Sequence, residues 1–103
     1  MSASPDTAPA REARHLLITG HVQGVGFRWH MVQQATRLGL AGWVRNRRDG
    51  SVEAQASGGD EQLAALIAWA RNGPTGARVA QVHVERTTDC NELSSGFVQK
   101  ATE

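Results

Sequence analysis

"AGWVRNRRDGSVEAQASG", residues 41–58, carries the clearest folding instruction in the chain. Two runs of strand-like residues flank Asp49-Gly50, a dipeptide that readily takes the positive φ angles of a tight hairpin turn. In the second run Val52, Ala54 and Ala56 share one face, and Glu53, Gln55 and Ser57 share the other. One face of this hairpin is therefore expected to be buried and the other wet.

Working outward, "RHLLITG" (14–20) is a short apolar run closed by Gly20, a strand. From Phe27 the apolar positions Phe27, Met31, Ala35 and Leu38, with Val32 beside them, have helical spacing, and Gly39 follows as a stop. After the hairpin, "GDEQLAALIAWARNGP" (59–74) predicts a second helix. Asp60 serves as its cap, Leu63, Leu66, Ile67 and Ala70 form its buried stripe, and Asn72-Gly73-Pro74 ends it. "ARVAQVHVER" (77–86) alternates, with Ala80, Val82 and Val84 inward and Gln81, His83 and Glu85 outward, and "GFVQK" (96–100) adds a short fifth strand. The order βαββαβ, with single-faced strands and amphipathic helices, predicts an α+β two-layer sandwich: an antiparallel sheet with two helices on one face.

The bulk numbers fit one such domain. At 103 residues, 40% apolar and 20% charged, the chain is an ordinary globular protein with room for a single modest core. A net charge of +1 gives no molecule-wide field toward nucleic acid or a membrane surface, and no stretch approaches the ~20 apolar residues of a membrane span. The basic cluster Arg45, Arg47 and Arg48 reads as a solvated hairpin tip. Cys90 is the only cysteine, which excludes an internal disulfide and a cysteine-based metal site and fits the cytoplasm. "MSASPDTAPAREA" lacks the apolar core of a secretory signal and reads as a flexible tail over 1–13, leaving 14–103 as the domain.

"GHVQGVGFRWH" (20–30) places three glycines and an arginine between the first strand and the first helix. The first N–H groups of a helix have no internal partner and sit at the positive end of its dipole, where an anion is at home. Gly24 and Gly26 let the backbone curl into a concave nest, and Arg28 offers a planar two-pronged donor. Neither the Walker pattern nor the dinucleotide fingerprint matches, because Phe27-Arg28 follows Gly26 and Trp29 fills a position that needs a small residue. On the residues alone, a plain turn and an anion site stand level. Asn46 is the second candidate. With the third strand between the first and second, the glycine loop and Asn46 lie at one end of the sheet about 10 Å apart, two strand spacings. A carboxamide both donates and accepts, so it can hold a water without titrating; the competing reading is an Asn that shapes the turn.

"GHVQGVGFR" followed by "GLAGWVRNRRDGSVEAQASG" closely resembles the acylphosphatases, from about His15 to Val84, with "FVQK" a fainter match to the family's last strand. The resemblance implies the ferredoxin-like version of the sandwich and hydrolysis of carboxyl–phosphate anhydrides to a carboxylate and inorganic phosphate. It implies that Arg28 binds the phosphate, that Gln23, Gly24, Val25, Gly26 and Phe27 complete the cradle, and that Asn46 orients the attacking water. It also implies no metal or organic cofactor. The partners expected are small-molecule acyl phosphates, with no nucleic acid and no membrane, and the chain is expected to be a monomer. The sequence departs from the family in continuing past the closing strand as "ATE" without a terminal aromatic.

His21 and His30 flank the loop but read as structural, since a carboxylate leaving group needs no acid. Trp29, Trp43 and Trp69 read as packing residues, with Trp43 a possible wall for the acyl side. An RNA-binding module of the same strand order is a rival, weakened because no aromatic falls among Glu53, Gln55, Gln81, His83 and Glu85 of the inferred open face. A regulatory domain that binds phosphate or another anion without turning it over is the alternative within the fold.

Overall fold

The computed structural model describes residues 12–87 and 96–103. The elements are β1 (Glu12–His21), α1 (Phe27–Arg37), β2 (Ala41–Asn46), β3 (Val52–Gly58), α2 (Asp60–Asn72), β4 (Arg78–Thr87) and β5 (Phe97–Gln99). The expected N-terminal tail lies outside the described residues up to Arg11, and β1 already starts at Glu12. Cys90 also lies outside them. No described helix is long and apolar enough to cross a membrane.

The sheet order is β4-β1-β3-β2-β5. β3 runs antiparallel to both β1 and β2, so β1 and β2 are parallel and deliver their C-terminal ends to the same edge of the domain. β5 pairs parallel to β2, which makes the sheet mixed rather than antiparallel throughout. The core lies between sheet and helices: Leu16, Ile18, Val44, Val52 and Ala54 from the strands meet Phe27, Met31, Leu63 and Leu66 from the helices. Burying such side chains stabilises by roughly 1.5–3 kcal/mol each before chain entropy is subtracted.

Four local expectations change. The hairpin is a three-residue loop in which Gly50 alone has positive φ; Asp49 instead accepts hydrogen bonds from the Ser51 N–H at 2.9 Å and hydroxyl at 2.6 Å. Asp60 is not the cap of α2. Gly59 occupies that position, and Asp60, in the first turn, accepts from Arg14 at 3.2 Å. In β4 a register shift opposite Thr19/Gly20 breaks the alternation, so Val79 joins Val82 against the core while Val84 is half-buried and Ala80 is exposed.

The fourth change concerns the outer face of β3, which is not wet. Glu53 and Ser57 are buried because β3 is the central strand and long side chains from its neighbours lie across it. Glu53 accepts from Arg45 Nε at 2.8 Å and Arg47 Nη1 at 2.9 Å, and meets His15 Nε2 at 2.7 Å. Arg45 and Arg47 of the basic cluster are thus tied down, not merely solvated. Burial alone would raise the Glu53 carboxyl, but the hydrogen bonds from His15, Arg45 and Arg47 outweigh it and lower it to about 2. A carboxylate depressed in the folded state stabilises fully above its unfolded value and loses that contribution as pH falls toward the folded one. Glu53→Gln is expected to lower stability at pH 7 by on the order of 1–2 kcal/mol, allowing for solvent screening. Urea denaturation should show the gap closing as pH drops below about 4.5 toward 2; a gap independent of pH would contradict the assignment.

Candidate active site

The segment between β1 and α1 reverses direction through Gly24 and Gly26, each with φ 78, a left-handed conformation that side-chain-bearing residues adopt at a cost. A Cβ on Gly24 would meet nothing within 4 Å, and one on Gly26 would make only ordinary contact with His30. The glycines are therefore required by backbone angle, not by space. Gly26 is the N-cap of α1 and supplies no side-chain acceptor; His30 N–H is the first to bond back, to the Gly26 carbonyl at 3.0 Å. The amides of Phe27, Arg28 and Trp29 precede that first intrahelical bond. The first turn of α1 contains no acid, whereas that of α2 holds Asp60 and Glu61. The start of α1 thus keeps its positive end for something else.

A cavity of about 140 Å³ opens there, lined by Val22, Gln23, Gly24, Gly26, Phe27, Arg28, Trp29, Asn46 and Gln99. The glycine loop with its adjoining Arg28 meets Asn46, from the far end of β2, in one pocket. Asn46 reaches it because it follows Val44 by two on β2 and so shares the helix-side face. Arg28 is half-buried and donates from Nη1 to the Lys100 carbonyl at 3.3 Å; its fork holds further donors for an anion.

Two expected cradle residues behave differently from the rest. Val25 is not among the lining residues; its side chain packs against the core, as an apolar group between two left-handed glycines can. Gln23 lines the cavity, but its side-chain amide donates to the carbonyls of Arg47 at 2.7 Å and Ser51 at 2.8 Å. Those two bonds tie the glycine loop to the hairpin beyond Asn46.

The C-terminal segment secures the other side. Lys100 N–H donates to the Val44 carbonyl at 2.8 Å and Glu103 N–H to the Asn46 carbonyl at 3.0 Å. The Glu103 carboxylate also accepts from Arg45. Through Glu103 the residues "ATE" therefore extend the pairing with β2 beyond Val44–Gln99, to Asn46 at the cavity. Gln99 was not legible as a lining residue because the parallel register of Val44 with Gln99 cannot be read from "GFVQK".

The tryptophans separate. Trp69 packs on Phe27 with ring centroids 5.2 Å apart. Trp43 lies on the open sheet face under Arg45 and Lys100, 4.8 and 4.7 Å from its ring centre, and does not line the cavity. That face thus holds one aromatic that the alternation of β3 and β4 did not reveal. Trp29, expected to pack, is 58% exposed at the cavity. Neither His21 nor His30 is a lining residue.

Fold and site together define a small α+β domain with an anion-sized pocket at the end of parallel strands β1 and β2. The family model described as acylphosphatase matches residues 14–99. An acylphosphatase of Acidovorax sp. (strain JS42) is 52% identical over 89 residues, covering 86% of this chain and 90% of that protein. The crystal structure of acylphosphatase from Bacillus subtilis superposes with a TM-score of 0.82 at 31% identity, covering 86% of this chain and 98% of that one. Full-length HypF, in a phosphate- and nucleotide-bound form, matches with a TM-score of 0.84 at 26% identity, covering 93% of this chain but 13% of that protein. The chain belongs to the acylphosphatase family.

Because Gln23 joins the two halves of the pocket, Gln23→Ala is expected to cost about 1–2 kcal/mol of stability. Misplacement of the cradle relative to Asn46 should lower kcat about 10- to 100-fold. Urea melts and steady-state kinetics on an acyl phosphate check both; unchanged kcat would show that the two halves are aligned by other means.

Proposed function

We propose that this chain hydrolyses acyl phosphates by holding the phosphoryl group between Arg28 and the main-chain amides of the 23–28 loop while Asn46 steers water at phosphorus. The observation that carries this reading is the convergence of Gly24, Gly26, Arg28 and Asn46 on one cavity. Phosphoryl transfer depends chiefly on position and on stabilising charge spread over the equatorial oxygens. The amides and guanidinium supply that stabilisation. The Asn46 carboxamide accepts a hydrogen bond from the water and leaves its oxygen free to attack. As the new P–O bond forms, the bond to the carboxylate oxygen breaks, and a phosphate oxygen takes the water's proton.

The leaving carboxylate has a conjugate acid of pKa near ~4, so it departs without a general acid. This accounts for a site in which neither neighbouring histidine lines the pocket. The same chemistry needs no Lewis acid, and we assign the reaction as metal-independent. We assign the protein as a monomer, and its single cysteine is in keeping with the cytoplasm. A nucleic-acid role is not favoured, since the open sheet face carries the Glu53 ion-pair cluster and a Trp43 ring occupied by its own cations.

The acylphosphatase relatives, matched over most of the chain, support the catalytic reading over an anion-binding domain without turnover. Hydrolysis of benzoyl phosphate in the presence of EDTA should proceed at the rate seen without it; no hydrolysis, or loss on chelation, would count against the proposal. Arg28→Gln should lower turnover roughly 10³- to 10⁵-fold, with loss of phosphate binding. Asn46→Ala should stop turnover while calorimetry still detects phosphate. Equal phosphate binding by Arg28→Gln and the parent would refute the role given to Arg28.

A further inference from the structure

We propose that Trp29 is a specificity-determining contact for the acyl group, favouring acyl phosphates whose acyl part is aromatic over those with a small aliphatic one. This rests on the phosphate reading of the cavity. Phe27, two residues before it, and Met31, two residues after it, are buried, yet Trp29 between them is 58% exposed. Among the described residues only Trp29 and Val98 are large apolar side chains left so exposed, and Trp29 alone of the two lines the site.

Size decides where the acyl group must go. At about 140 Å³ the cavity is well below the ~300 Å³ at which pockets begin to enclose a small organic molecule. With the phosphoryl group among the glycines and Arg28, the rest of the substrate lies at the mouth, beside the indole. The ring is steadied there by an edge-on contact with His30, centroids 5.0 Å apart and planes at 88°. An exposed, braced indole gains most from a flat apolar partner, since ring–ring contacts add to the area they bury.

The test compares kcat/KM for benzoyl phosphate and acetyl phosphate in the parent, Trp29→Ala and Trp29→Phe. The benzoyl-to-acetyl ratio should fall about 3- to 10-fold in Trp29→Ala and be largely kept in Trp29→Phe. An unchanged ratio, or an equal loss on both substrates, would overturn the assignment. If the parent hydrolyses neither substrate, the phosphate reading itself fails and this inference with it, an outcome distinct from hydrolysis of both with no dependence on Trp29.

Discussion

The main chain between β1 and α1 must reverse within a few residues before the helix begins. Left-handed φ values at Gly24 and Gly26 make that path available, and both ends of the path are fixed. Phe27 anchors the helix side, buried in the core and packed on Trp69. Gln23 anchors the strand side through its two bonds to the hairpin. In the proposed reading this main chain forms the anion cradle, and a fixed cradle needs no reorganisation when charge develops on a bound group. That reading calls on one charged side chain, Arg28, which suits a chain of net charge +1.

Strand order does the rest of the positioning. With β3 between β1 and β2, the loop and Asn46 emerge at the same end on either side of a central strand. That strand is held by the Glu53 cluster on its outer face and by Val52, Ala54 and Ala56 on its inner face. Beyond β2, the backbone of Lys100 to Glu103 meets both candidate residues, accepting from the Arg28 side chain and donating to the Asn46 carbonyl. Stability and site geometry thus share the same contacts.

Most of this was legible in the sequence because it is local. Helix periodicity located α1 and α2, the Asp49-Gly50 turn located β2 and β3, and the glycine loop with Arg28 stood out as a motif. What escaped was non-local. The bulge against Thr19/Gly20 depends on how β4 docks on β1, and it moved Val79 rather than Ala80 toward the core. Burial of Glu53 depends on which side chains the neighbouring strands lay across it. Gln99 depends on a parallel pairing with Val44, and the exposure of Trp29 on which helical face meets the sheet. In each case the residue type was compatible with two environments, and only the neighbour across the sheet or helix decided between them.

A crystal structure of the protein with phosphate bound tests the central assignment most directly. The account predicts phosphate oxygens about 3 Å from main-chain nitrogens of the 23–28 loop and from the Arg28 guanidinium, with the Asn46 carboxamide facing the vacant side of phosphorus. Phosphate held elsewhere, on the Arg47–Arg48 hairpin tip for example, with the loop cavity bypassed, would contradict it.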